Sequence, residues 1–330
     1  MESKQDILTP KVAIVVLNWN GWQDTIECLE SVFRNEYPRY QVIVCDNDSQ
    51  DGSLGHIKAW AEGRLEYVEY DRAQAEAGGD PKSSDARLVL IKTGANLGFA
   101  GGNNVGLRYA LANNFDFAWL LNNDTVIKPD ALTYLVERMQ ENPRAGICGS
   151  TVAYYRDITR VEAWGGAFYD KWLAVGKHLG ISRPVSAPVD VKAVERKMDY
   201  VFGAAMFVSR DFLLDVGLMS EDYFIYCEEI DWAIRARGRY ALAYAPKSIV
   251  YHKGSRSIGS AGSSLSKYYE MRNRMVVTRK HFPYALPTVY LGVVVEMIGM
   301  FLRGEWGGAK IIWDVLYNAR WLKPPFPSKV

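Results

Sequence analysis

No Cys-x-x-Cys pair occurs in this 330-residue chain, and its four cysteines, Cys28, Cys45, Cys148 and Cys227, are scattered, three of them in apolar patterns. That distribution argues against structural zinc and against a disulfide framework. Long apolar runs are also missing: the longest, Thr288 to Leu302, is interrupted by Glu296 and falls short of the ~20 residues a spanning helix needs. The N-terminus, MESKQDILTPK, has no apolar signal core, which predicts a cytoplasmic protein. No Gly-x-Gly-x-x-Gly follows the first strand-like run, which weakens a dinucleotide reading, and no internal repeat is visible. Neither charge sign dominates, with 39 Lys and Arg against 38 Asp and Glu, and no nucleic-acid partner is expected.

The even balance conceals an asymmetry. Residues 251–330 hold 12 Lys and Arg against 4 Asp and Glu, leaving 27 against 34 for residues 1–250. A basic C-terminal part suits an anionic partner such as lipid headgroups or a pyrophosphate. With 48% hydrophobic and 23% charged residues, the chain has the composition of a globular protein and the length for a substantial core.

Several strand-like runs end in polar clusters. Val12 to Leu17 is a continuous β-branched run that stops at Asn18-Trp19-Asn20-Gly21, and a helical pattern follows from Asp24. Gln41 to Cys45 runs into Asp46-Asn47-Asp48-Ser49, and Leu88 to Ile91 runs into the glycine-rich stretch from Thr93 to Asn104. Phe115 to Leu121 halts at Asn122-Asn123-Asp124, just before a helical pattern after Pro129. In an open α/β sheet ligands collect outside the carboxyl ends of the strands, so these clusters predict one shared site with Asp124 as a metal ligand. Asn96, Gly98 and Asn104 belong to the glycine-rich stretch, where backbone approaches a ligand closely and a helix starting near Asn103 aims its N–H groups at a phosphate.

Further along, residues 69–87 read as a surface insertion, and residues 151–197 read either as a sugar-facing surface or as irregular packing. Met198 to Val208 predicts one strand with a close backbone approach at Gly203. In YFIYCEEIDWAIR, a helix from Cys227 places Glu228, Asp231 and Arg235 on one face and turns Glu229 elsewhere. Carboxylates beside aromatic rings have raised pKa values, which suits a general base. Ile249 to His252 is strand-like and leads into Lys253-Gly254-Ser255-Arg256-Ser257, and Tyr268 to His281 predicts a basic helix. From Thr288 onward, the apolar run with Trp306, Trp313, Trp321, Arg303, Lys310, Arg320 and Lys323 suits two amphipathic helices on a membrane surface, a core helix or an oligomer contact.

Six segments in order, VAIVVLNWNGW, VIVCDNDSQDGS, NLGFAGGNNVGL, WLLNNDT, YFIYCEEIDW and YYEMRNR, resemble the family-2 inverting glycosyltransferases of GT-A fold, and most closely their rhamnosyltransferase-like branch. The resemblance spans roughly residues 10–282. It implies an α/β fold with a mixed, mostly parallel sheet flanked by helices, a catalytic domain over residues 1–282, and C-terminal amphipathic helices over 283–330. It implies transfer of a hexose or deoxyhexose from a dTDP- or UDP-linked sugar to a saccharide or lipid-linked acceptor, with Mg²⁺ or Mn²⁺, in the cytoplasm or at the inner face of the membrane. Asn18 and Asn20 would sit beside the nucleotide base, and Asp46 would meet the base or ribose. Asn122, Asn123 and Asp124 match the metal motif, with Asn122 where the family usually has Asp. Glu228 and Glu229 match its Glu-Asp pair, with Glu229 as catalytic base and Glu228 in reserve. His252 would help hold the metal, and Arg272 would meet the diphosphate. Two other classes remain open: a nucleotidyltransferase, whose usual N-terminal phosphate loop is absent, and a non-catalytic sugar-binding protein.

Overall fold

The computed structural model describes residues 9–80, 86–254 and 264–317. Ser255, Arg256, Ser257, Arg320, Trp321 and Lys323 lie outside the described residues, as does 81–85 of the expected insertion. Strand β1 (Val12–Asn18) leads through helix α1 (Trp22–Val32) to β2 (Tyr40–Asp46), followed by α2 (Ser53–Ala61), β3 (Tyr67–Asp71), α3 (Arg72–Glu76) and β4 (Leu88–Lys92). Next come α4 (Gly98–Ala112), β5 (Phe117–Asn122), β6 (Thr125–Ile127), α5 (Ala131–Glu141) and β7 (Ala145–Tyr154). The middle of the chain holds β8 (Asp157–Trp164), β9 (Gly166–Asp170), β10 (Val175–His178), α6 (Val191–Lys197), β11 (Tyr200–Val201), β12 (Ala205–Ser209) and α7 (Arg210–Asp215). It closes with α8 (Glu228–Ala236), β13 (Ala241–His252), α9 (Ser264–His281), α10 (Leu286–Leu302) and α11 (Trp306–Tyr317).

The main sheet runs β3-β4-β2-β1-β5-β12-β7-β13-β6, with β8 paired to β7. From β3 to β5 all pairings are parallel, and β12 then enters antiparallel between β5 and β7. This explains the continuous apolar runs: Val12 to Val16 are fully buried, because helices cover both faces of a parallel sheet. One face packs on α1, α2 and α5 through residues such as Leu29, Ile57 and Leu135, the other on α4 and α8 through Val105, Leu107 and Trp232.

Four expectations change. The segment from residue 69 begins as the edge strand β3 and continues as helix α3, capped by Asp71. Helix α4 starts at Gly98, five residues before Asn103, so Gly101, Gly102 and Gly106 are helical: a Cβ on Gly106 would lie 2.6 Å from Val15 Cγ1, and one on Gly102 would collide with Leu17. These glycines let the helix lie close to the sheet. Met198 to Val208 forms two short strands, β11 and β12, parted by a turn at Gly203-Ala204. Finally, the helical stretch Pro283–Leu302 has 20 residues, so by length and composition it is apolar enough to cross a membrane.

Helices α10 and α11 pack against α9. Val289, Val293, Ile312 and Val315 join a buried cluster with Tyr223, Met271 and Met275. Glu296 on α10 is held by Lys267 at 2.6 Å and Arg274 at 2.8 Å.

Candidate active site

The register of the parallel strands brings their polar ends to one rim: Asn18 pairs with Asp46, and Leu17 with Asn122. Beyond β5 the chain turns through Asn123 and Asp124 into β6, which pairs antiparallel with the end of β13, Thr125 opposite His252. Lys253 N–H donates to the Asp124 carbonyl at 3.0 Å. His252 Nε2 therefore stands 3.4 Å from Asp124 Oδ1, with both side chains buried. The Asn123 amide ties this turn to the first loop, donating to Thr25 Oγ1 at 3.0 Å.

A cavity of about 360 Å³ opens over this rim and collects Asp124, Asn122, Asn123, His252, Asn96 and Gly98 together with Glu228 and Glu229. The two glutamates enter from α8. Just before them the backbone takes positive φ at three residues that are not glycine, Phe224 (63°), Tyr226 (68°) and Cys227 (75°). Such conformations are costly for side chains with a Cβ, and they persist only where surrounding contacts hold them. Asn273 supplies those contacts, its amide donating to the carbonyls of Tyr223 (2.7 Å), Ile225 (2.7 Å) and Tyr226 (3.0 Å). Phe99 N–H donates to the Phe224 carbonyl at 2.6 Å, and a Cβ on Gly98 would collide with that same carbonyl.

Electrostatics separate the two acids. Burial raises the Glu229 carboxyl to about 7. Glu228 is 3% exposed, its Oε2 has no hydrogen-bond partner, and burial followed by the neighbouring Glu229 charge drives its pKa well above the ordinary carboxyl value. Burial thus favours the protonated form of both acids, and Glu229 titrates near neutral pH.

In the same cavity, burial alone would discharge His252. Hydrogen bonds to Asp124 and Glu162 overcome that and raise its pKa to about 10. The Asp124 and Glu162 carboxylates thus favour positive charge at this place, and a cation there would take the place of the proton shared by His252 and Asp124. Among the described residues no three His, Cys, Asp or Glu side chains form a metal cage. One carboxylate plus one imidazole does fit a cation that takes its other ligands from phosphate and water.

Five residues expected at the site do not line the cavity. Asn18 donates to Asp46 Oδ1 at 2.7 Å and accepts from Thr25, so Asn18 and Asp46 brace the ends of β1 and β2, and the cavity contact falls to the next residue, Asn47. Asn20 joins two loops through Ser49 and Gln50. Asn104 is used up by Met219 and Glu221. Arg272 is buried and donates to the Asp222 carbonyl and Asn273, so it supports the loop that carries the glutamates. Asp231 and Arg235 do pair, at 2.8 Å, but toward α9: Asp231 also accepts from His281 at 2.7 Å and Lys280 at 2.9 Å. Burial by itself would raise the Asp231 pKa, but these three partners hold it well below the usual carboxylate range.

Sequence reading missed Glu162, His178 and Phe202, which line the cavity from the region between β7 and β12. Phe202 sets its ring edge-on to His252 at 5.7 Å and 4.4 Å from His178. The only local signal was an acid among the apolar residues of Val161-Glu162-Ala163.

Residues 13–170 match the sequence model of glycosyl transferase family 2. Among characterised proteins, the chain is 22% identical over 253 residues to the low-salt glycan biosynthesis hexosyltransferase Agl10 of Haloferax volcanii, covering 75% of this chain and 78% of that protein. It is 24% identical over 261 residues to the dTDP-rhamnosyl transferase RfbF of Shigella flexneri, covering 75% and 82%. Among solved structures, mannosyltransferase PcManGT from Pyrobaculum calidifontis, in complex with GDP-Man and Mn²⁺, superposes with a TM-score of 0.54 at 16% identity, over 96% of this chain and 88% of that one.

Proposed function

We propose that this chain, whose residues 13–170 match glycosyl transferase family 2 and whose fold is GT-A, moves a hexose or deoxyhexose from a nucleoside-diphosphate donor to a hydroxyl of a saccharide or lipid-linked acceptor, by one displacement that inverts the anomeric centre. The observation that carries this reading is the placement of Asp124 and His252 on one wall of a single cavity and of Glu228 and Glu229 on another. Asn96, Gly98, Asn122 and Asn123 line the donor part of that cavity. Glu229 takes the proton of the acceptor hydroxyl as its oxygen bonds to the anomeric carbon, and the bond from that carbon to the diphosphate breaks. Glu228, whose buried Oε2 has no hydrogen-bond partner, stands beside Glu229 in the same cavity. Asp124 and His252 would hold Mg²⁺ or Mn²⁺, which would supply charge neutralisation at the leaving diphosphate.

Incubation with dTDP-, UDP- and GDP-sugars, Mn²⁺ and a saccharide or lipid-linked acceptor tests this. Release of the nucleoside diphosphate is the expected result. Release of pyrophosphate, as from a nucleotidyltransferase, or of neither product, contradicts it.

The C-terminal helices are proposed to rest on a lipid surface at the inner face of the membrane. Leu291, Val295, Leu302, Trp306 and Trp313 are each more than half exposed and lie on α10 and α11, an apolar face flanked by Arg303 and Lys310. Aromatic rings at the edge of such a face suit the headgroup level. The full chain is expected to sediment with anionic phospholipid vesicles and to release as salt rises. A triple change, Leu291→Asp, Val295→Asp and Leu302→Asp, should abolish sedimentation while transfer to a soluble saccharide acceptor continues. Absence of vesicle binding at low salt overturns the proposal.

A further inference from the structure

We propose that Glu162 is a positioning residue for the cation site, holding His252 so that its Nε2 faces Asp124. The inference rests on the reading of Asp124 and His252 as cation ligands. Three observations support it. Glu162 Oε2 lies 2.9 Å from His252 Nδ1, between side chains that are 14% and 7% exposed. A carboxylate can only accept at that distance, so Nδ1 carries a hydrogen whether the ring is charged or neutral, and the nitrogen that a cation would reach by displacing a proton is Nε2, 3.4 Å from Asp124.

The backbone is shaped to deliver this contact. In the β7–β8 pairing Val152 stands opposite Ala163 and Ala153 opposite Val161, so Glu162 is the extra residue of a β-bulge with nothing opposing it. Bulges re-aim side chains, and this one sends Glu162 across β7 to β13, where Tyr154 of β7 stands opposite His252. Phe202 then limits the ring's rotation from the side, edge-on at 81°. The imidazole is thus fixed by a hydrogen bond at one nitrogen and by packing across its plane. Partners of this kind set the tautomer of a ligating histidine and strengthen its lone pair, and losing one typically weakens metal binding about 10–100-fold.

The test measures Mn²⁺ binding to the full-length protein, by loss of the free-ion paramagnetic resonance signal, with UDP, dTDP and GDP each present. Glu162→Ala is expected to raise the Mn²⁺ dissociation constant about 10–100-fold. Glu162→Gln, whose amide oxygen accepts the same hydrogen bond without the charge, is expected to fall between Glu162→Ala and wild type. Binding of the nucleotide without metal should stay unchanged, which a general loss of structure would not allow. If Glu162→Ala folds poorly, the nearly isosteric Glu162→Gln decides alone. Mn²⁺ binding within twofold of wild type in the folded variants overturns the role of Glu162 and leaves the cation site standing. A wild type that binds no Mn²⁺ with any of the three nucleotides overturns both.

Discussion

Glu229→Gln is expected to lower kcat about 10²–10⁴-fold, the range that general-base assistance supplies, with little change in KM for the donor. The substitution keeps the shape of the side chain and removes only its ability to take a proton. Glu228→Gln should cost less, because burial and the Glu229 charge favour the protonated form of Glu228 and a neutral amide can replace a neutral acid as a donor. In the wild type the rate should climb with pH through about 7 as Glu229 loses its proton. That limb should vanish from the residual activity of Glu229→Gln.

Stability supplies an independent check on the same group. An acid whose folded pKa is raised binds its proton more tightly in the native state, so stability is full below the unfolded value near 4.5 and is lost as pH rises toward about 7. Glu229→Gln removes that loss and also relieves Glu228 of a neighbouring charge. Its melting temperature should therefore exceed that of wild type at pH 8, and the gap should shrink toward pH 5. Unchanged turnover, or a melting gap that shrinks with rising pH, would count against Glu229 as the base.

How much of this site could be read from sequence depends on which interactions place each residue. Asp124 and the Glu228-Glu229 pair were legible because each follows a strong local pattern, a buried parallel strand or an aromatic run entering a helix. Glu162 was not, since its position depends on a bulge that exists only once β8 pairs with β7. Phe224, Tyr226 and Cys227 hold positive φ without glycine, so composition left no mark of the strain. Arg272 takes its expected ligand role from the resemblance of YYEMRNR to a family motif. In the fold its charge goes to the carbonyl of Asp222, at the start of the same strained loop. The glycines of α4 misled in the other direction, since close approach to β1 and freedom of φ call for the same residue.

The cation side of the cavity carries the second large effect. Asp124→Asn should lower transfer about 10³-fold or more, because several kcal/mol of charge stabilisation at the leaving diphosphate go with the ligand. Asn is the better probe than Ala at a residue 4% exposed, since it leaves no void and retains an oxygen toward His252. The backbone of the turn does not depend on the carboxylate: Lys253 donates to the Asp124 carbonyl, and Thr125 Oγ1 to that of Asn122. The fold should therefore survive. Ligand-linked stability separates a lost ligand from a damaged fold. With Mn²⁺ and nucleoside diphosphate at about 100 times the dissociation constant, wild type should gain roughly 2.7 kcal/mol, seen as a rise in melting temperature. Asp124→Asn should show almost none of that rise while melting near wild type without ligand. If the variant keeps both the Mn²⁺-dependent rise and its turnover, Asp124 is not the ligand, and the pairing of a cation wall with a base wall fails at its first residue.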